Sequence, residues 1–538
     1  MNGIMLDCSR NAVMKPEGIE RFIIVMAMMG LNMLMLYMED TYEIEEQPYF
    51  GYMRGRFSKE ELKCLDDYAD KFGIELIPSI QTLAHLTTFL RWDSNAEIMD
   101  TPDILLAGSP NTYRLIEQMI SAVMEPFRTS RLHLGMDEAH FLGRGVYLKK
   151  NGYRTSFDIM NDHLKQVLKV TRKKGIDPMI WSDMYFRMSS ETGDYYDKKA
   201  IIPDSVIEGM PSDVQFVYWD YYHEDEHFYK DYLKKHKSFG TKPVFAGGIW
   251  TFNGIAINYK KTIRSLHAGL SACKQEGISE VFGTLWGDDG AETNPFTGLL
   301  GLQLMAEHGY AEKIDMENVK DRFQFCTGAD MDCFIALGEL DQPPGSAKEV
   351  QLEPDNPSKF LLWQDPLLGL FDKQVEGMPL NRFYRELELK LRQEQIRAGG
   401  WSWLFELPRQ ICSVLTMKSE IGIRLKRLYD EDEKEKLRDI ADNELVELTK
   451  RVEILQKIHY EHWMEINKPF GWEVLDIRYG GLLARIGTTR KRLEAYLSGS
   501  ISSIPELEEE RLPYTSAVQN HAYSRSNVYQ KIATPNVF

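Results

Sequence analysis

The segment RLHLGMDEAH, residues 131–140, sets two carboxylates side by side, Asp137 and Glu138, just beyond a short apolar run that closes at Gly135. Adjacent acids suit proton-transfer chemistry, because like-charge repulsion and an apolar pocket can push one pKa up while the neighbour stays ionised. Other residues with chemical reach also stand at the ends of short apolar runs. They are Asp7 and Arg10, Glu39 and Asp40, His85, Trp181 and Asp183, Trp219 with Asp220 and Tyr221, Trp250, and Trp286 with Asp288 and Asp289. Four of the ten tryptophans fall in this set. Rings with carboxylates and one arginine suit a neutral, polyhydroxylated ligand, whose faces stack on aromatics and whose hydroxyls bind charged groups. A phosphate ligand would call for more cations. Taken singly, a strand-end tryptophan more often packs a core, and His85 or His133 more often serves as a hydrogen-bonded structural histidine. Their common placement at one end of one fold is what gives the set weight.

The elements that would position these residues alternate from residue 3 to about 308. Expected strands are GIMLD (3–7), NMLMLY (32–37), IELIPS (74–79), RLHLG (131–135), DPMIW (177–181), VQFVYW (214–219), PVFAG (243–247) and VFGTLW (281–286). Amphipathic stretches lie between them, among them 59–72, 112–127, 156–174, 225–237 and 259–275. Helix-ending glycines in KKGI and QEGI lead directly into strands. Eight such units predict an α/β fold, a (β/α)8 TIM barrel, whose catalytic side chains come from the C-terminal strand ends. A doubly wound sheet would carry a glycine-rich loop after its first strand, and LDCSRN is no such loop. The apolar run 22–38 reads as a helix, a turn at Gly30 and a strand buried on both faces, rather than as a membrane span.

The expected domains are a catalytic barrel over 1–310 and an α-helical C-terminal domain over 311–538. A Pro-rich, polar linker or long loop is expected near 339–358. Long helical patterns occupy 380–397, 434–463 and 482–497, while the last 25 residues have no clear period. Whether these helices make a homodimer face stays open at this point.

In 538 residues, 64 Lys and Arg stand against 81 Asp and Glu, a formal charge of −17. That balance argues against a nucleic-acid partner, which needs clustered cations, and against an anionic membrane surface. Six scattered cysteines without a CxxC motif fit reduced thiols rather than a disulfide or zinc framework. No basic segment followed by an apolar core opens the chain, so a signal peptide is not expected and a cytoplasmic location is.

HLGMDE resembles the His-x-Gly-x-Asp-Glu signature of glycoside hydrolase family 20, the β-N-acetylhexosaminidases. LDCSRN is similar to the family's first strand with its sugar-binding arginine. WSDM, VYWDYY, GGIWTF and TLWGDDGAE resemble the tryptophan-bearing strand ends of a divergent branch. The resemblance implies a retaining, substrate-assisted, exo-acting enzyme that needs no cofactor or metal and acts on a small glycoside or oligosaccharide with terminal β-linked GlcNAc or GalNAc. The substrate's own acetamido oxygen then attacks the anomeric carbon, so the protein supplies no nucleophile. By the same resemblance Glu138 is the general acid/base, and Asp137 orients the acetamido group and steadies the oxazolinium ion. Trp181, Trp250 and Trp286 enclose the acetamido methyl, Arg10 and Asp288 (or Asp289) bind ring hydroxyls, and Trp219 adds a further ring. His85 and Asp183 order the acid or its neighbours.

Many relatives hold the acetamido oxygen with a tyrosine on the seventh strand. GGIWTFNG has none, and Tyr221 is the expected substitute. Two other readings compete. One is a metal-dependent barrel hydrolase using His85, His133, His140, Asp137, Glu138 and Asp183, though these six show no HxH or HExxH spacing among themselves. The other is a non-catalytic sugar-binding barrel, which would have no use for an acid pair.

Overall fold

The run 22–38 shows how local sequence builds this molecule. In a computed structural model, which describes residues 1–252, 254–344, 352–515 and 528–536, it forms the end of helix α1 (Pro16–Met29), a left-handed turn at Gly30 and strand β2 (Met33–Tyr37). Pro16 starts α1, where a missing N–H costs nothing. Phe22, Ile23, Met26 and all five residues of β2 are buried. Apolar residues on every side of the strand are therefore core, as in a parallel sheet covered on both faces. Among the described residues no helix is long and apolar enough to cross a membrane.

β2 is one of the eight strands of a closed barrel. The others are β1 (Asn2–Asp7), β3 (Glu75–Ser79), β4 (Arg131–His133), β5 (Asp177–Trp181), β6 (Gln215–Trp219), β7 (Val244–Gly248) and β8 (Val281–Leu285). Each pairs in parallel with its neighbours in chain order, and β8 closes on β1 with Asn2 opposite Val281. The expected TIM barrel is thus observed. Its N-terminal end is tied by Arg131, which reaches Glu280 at 2.7 Å and Glu75 at 3.6 Å. β4 is shorter than expected, because the chain turns left-handed at Gly135 instead of continuing the ladder.

By its contacts the chain divides into two compact units. The first is Met1–Gly248, Arg264–Leu285 and Leu302–Ile314, and it contains all eight barrel strands. The second is Ile249–Ile263, Trp286–Gly301 and Asp315–Phe538. The long helices of the second unit are α2 (Leu380–Arg397), α3 (Glu406–Lys418), α4 (Leu445–Ile466) and α5 (Trp472–Leu497). The pattern expected over 434–463 is interrupted by a π-turn, Ile440–Glu444, which keeps Ile440 and Ala441 buried. α5 begins earlier than its pattern implied, since Gly480 and Gly481 stay helical between Tyr479 and Leu482, both buried. Of the Pro-rich stretch 339–358, residues 345–351 lie outside the described residues. On either side of them Asp341 accepts the Ser358 amide at 2.7 Å, and these two residues are buried. Part of the aperiodic tail, 516–527 and 537–538, also lies outside the described residues.

Candidate active site

The two carboxylates owe their placement to a backbone that leaves strand geometry. Gly135 (φ 71°), Met136 (φ 72°) and Glu138 (φ 51°) are left-handed, as is His85 (φ 56°) in the loop after β3. A Cβ on Gly135 would lie 2.1 Å from Gln81 Oε1 and 2.7 Å from the Ile80 carbonyl oxygen, so only glycine fits. Strained non-glycine residues persist where their surroundings over-determine them. Here Gln81 does so. Its Oε1 accepts the Met136 amide at 3.1 Å, and its Nε2 donates to Asp137 Oδ1 at 2.6 Å and to the Tyr37 hydroxyl at 2.8 Å. Asp183, the first residue of the helix after β5, accepts the Glu138 amide at 3.0 Å.

His85 joins the acids. Its Nε2 lies 3.2 Å from Asp137 Oδ2 and 3.4 Å from Glu138 Oε2, and its Nδ1 lies 3.5 Å from Arg10 Nη1. Arg10 is held by Glu39 at 3.0 Å and by Asp7 at 3.5 Å. One connected polar set thus runs from β1 through β2, β3 and β4 to the start of the helix after β5.

The charges in this set differ from what adjacency implied. Like-charge repulsion and burial were expected to raise Glu138. Burial does oppose its ionisation, but the hydrogen bond and charge of His85 outweigh it, and the Glu138 carboxyl is held below the ordinary range. Asp137 is lowered too, against its burial, by His85 and Gln81. Burial works against the His85 imidazolium, yet Asp137 and Glu138 together lift it well above the ordinary histidine value. The carboxyl that is strongly raised is Asp183, by burial first and then by the nearby Asp137 charge. These directions favour the protonated form of His85, between the two acids.

The aromatic candidates divide. Trp181 is buried, with its ring centroid 4.4 Å from that of His133 and 6.0 Å from that of Phe282. His133 is itself enclosed, accepts the Gly135 amide at 3.1 Å and is pushed by burial down to about 3, which keeps it neutral. Trp219 and Tyr221 stack with centroids 5.3 Å apart. Trp250, Trp286 and Asp288 belong to the second unit, on the segments that leave β7 and β8. There Trp250 stacks on Phe252 at 4.5 Å, and Thr251 donates to the Trp286 carbonyl at 2.9 Å. Asp289, the alternative to Asp288, is already engaged: Lys359 and Arg478 each reach it at 3.2 Å, and the Tyr529 amide donates to it at 3.0 Å. Asp288 is half-buried beside it.

Sequence reading missed Gln81 and Tyr195. Gln81 follows β3 by two residues, so the strand-end rule could have found it. Tyr195, whose hydroxyl donates to Glu138 Oε1 at 3.3 Å, sits in an irregular stretch after the Asp183–Ser189 helix and gave no periodic signal. Among the described residues no three His, Cys, Asp or Glu side chains are grouped to hold a metal ion.

Two family models match the chain: the glycosyl hydrolase family 20 catalytic domain over residues 2–235 and the Glycoside Hydrolase 20C C-terminal domain over residues 332–526. Hexosaminidase D of Homo sapiens is 24% identical over 202 residues, 36% of this chain and 39% of that protein. Hexosaminidase D of Bos taurus is 25% identical over 209 residues, 36% of this chain and 55% of that protein. The chain thus spans less than two thirds of the length of these curated relatives. A solved family 20 exo-β-N-acetylglucosaminidase from Vibrio harveyi overlays 61% of this chain and 58% of its own, with 14% identity and a TM-score of 0.46.

Proposed function

This chain belongs to glycoside hydrolase family 20, and from that premise we propose that it is an exo-acting β-N-acetylhexosaminidase releasing terminal β-linked GlcNAc or GalNAc with retention. The observation that carries the reading is the Asp137–Glu138 pair on its left-handed turn, bracketed by His85 and pinned by Gln81 and Asp183. Glu138 protonates the leaving oxygen and then takes a proton from water. Asp137, held ionised, orients the acetamido N–H and stabilises the cationic oxazolinium ion. Intramolecular attack by the acetamido oxygen replaces an enzyme nucleophile and gains from proximity. A substrate that displaces the Glu138–His85 contact would return the proton to Glu138, because burial favours the neutral acid once the cation is no longer beside it.

Arg10, locked between Asp7 and Glu39, is suited to ring hydroxyls. The roles that the family resemblance gives Trp181, Trp250 and Trp286 around the acetamido methyl, Tyr221 at its oxygen, and Asp288 at the distal hydroxyls are part of the same proposal. A cytoplasmic location is part of it also, and the six free cysteines support it.

The test is hydrolysis of 4-nitrophenyl β-glycosides of GlcNAc, GalNAc and glucose by the wild type and by Glu138→Gln, with and without a chelator. Turnover of an N-acetyl sugar but not of glucose, indifferent to chelator and reduced about 10²–10⁴-fold in the variant, is expected. Comparable turnover of glucose would overturn substrate assistance, since that sugar has no acetamido group.

A further inference from the structure

The Glu138 carboxyl has a second hydrogen-bond partner besides His85. Its Oε2 faces the imidazole, while its Oε1 receives the Tyr195 hydroxyl at 3.3 Å. The same hydroxyl meets His140 Nε2 on its other side. The Tyr195 ring is fixed by the edge of Trp219, centroids 5.3 Å apart, and by the Arg187 guanidinium 5.5 Å from the ring centroid. His140 is returned to the same turn by its own backbone, whose amide donates to the Glu138 carbonyl at 2.6 Å.

Resting on the hexosaminidase reading, we propose that Tyr195 is a positioning residue for the acid/base: its hydroxyl, shared between Glu138 and His140, holds the Glu138 carboxyl in both of the protonation states that the two half-reactions need. A phenol has one proton to give and lone pairs to receive. When Glu138 is ionised, Tyr195 donates to the carboxylate, and the Nε2 of neutral His140 keeps its lone pair. When Glu138 is protonated, the phenol turns its proton toward a lone pair of His140, and the carboxyl keeps a partner of the opposite sense. His140 suits that exchange because burial and the Arg187 charge favour its neutral form. The phenol itself stays protonated, since burial and the Glu138 and Asp183 charges push its ionisation far upward.

The groups that act on Glu138 are His85, Asp137, Arg10, Asp183, Tyr195 and His140. Of these, Tyr195 can be altered at one atom. Donation to the carboxylate favours the ionised form, so Tyr195→Phe raises the Glu138 pKa. The basic limb of kcat/KM, where the acid is lost, then moves to higher pH.

The experiment measures kcat and KM from pH 4 to 10 for the wild type, Tyr195→Phe and His140→Ala. The substrates are aryl β-N-acetylglucosaminides from 2,4-dinitrophenyl to 4-methoxyphenyl, with chitobiose, and thermal unfolding is followed alongside. A dinitrophenolate departs without a proton, whereas methoxyphenol and sugar leaving groups need the acid. The expected result is a loss in kcat/KM of about 10-fold on the poor leaving groups, the worth of one hydrogen bond to a charged group. On the dinitrophenyl substrate the loss stays under about 2-fold, and the basic limb moves upward in Tyr195→Phe. His140→Ala shifts in the same sense by less. A uniform loss across leaving groups, or an unmoved basic limb, overturns this inference while leaving the hexosaminidase reading standing. A wild type that turns over none of these N-acetyl substrates overturns both.

Discussion

Gly135→Ala tests whether the turn that carries the acid pair is built as described. The substitution acts in two ways that can be separated. Alanine at φ 71° costs about 1–2 kcal/mol wherever it occurs. Its methyl would also stand 2.1 Å from Gln81 Oε1 and 2.7 Å from the Ile80 carbonyl oxygen, closer than any real contact. Gln81 must then withdraw and release the Met136 amide and Asp137 Oδ1, two buried hydrogen bonds worth about 1 kcal/mol each, or more for the charged one. The sum is about 3–5 kcal/mol. Gly175 is the internal control. It is left-handed at φ 68° with nothing within 4 Å of an added Cβ, so Gly175→Ala carries the strain alone, about 1–2 kcal/mol. Urea unfolding of both variants beside the wild type gives the difference assigned to Gln81. Activity on 4-nitrophenyl β-GlcNAc gives its catalytic consequence, a loss of about 10²-fold for Gly135→Ala from a misplaced Asp137 and none for Gly175→Ala. Equal stability losses in the two variants, with activity retained in both, would refute the reasoning.

Two further outcomes follow from the charge arrangement. His85 has a folded pKa well above its unfolded value, so the stabilisation it brings is complete below about pH 6.5 and fades as pH rises through the folded value. The stability gap between wild type and His85→Gln, measured by urea unfolding from pH 5 to 9, therefore narrows with rising pH, and a widening gap would contradict the His85–Asp137 pairing. In the second unit, Arg478 and Lys359 together neutralise Asp289 and Glu292, with Lys359 and Glu292 almost fully buried. Arg478→Met leaves two buried acids to one cation and should cost about 3–5 kcal/mol. An unchanged urea midpoint would count against the network.

The barrel and its acid pair were legible in the chain because their signals are local. Strands buried on both faces are apolar runs whatever surrounds them, as in Met33–Tyr37, and strand ends say where chemistry can sit. The turn at Gly135 could be anticipated because alternation along a straight strand would aim Asp137 and Glu138 apart. Protonation was not legible. Whether Glu138 or Asp183 is the raised carboxyl depends on which cation stands about 3 Å away and how much water is excluded, and neither follows from residue spacing. His85 sits between Asp137 and Glu138 and lowers both, while Asp183, 45 residues beyond Glu138, meets its backbone amide and is raised by burial and the Asp137 charge. Tyr195 reaches the acid from 57 residues away in a segment without periodicity. Asp289 is adjacent to Asp288 in sequence, yet what engages it is three partners from distant parts of the second unit. The sequence by itself determined the fold class and the residue types at the strand ends, through burial patterns read over a few residues. Only the tertiary structure decided which of those residues carry charge and which are already spoken for, because Coulomb and desolvation energies depend on distances that the folded chain alone sets.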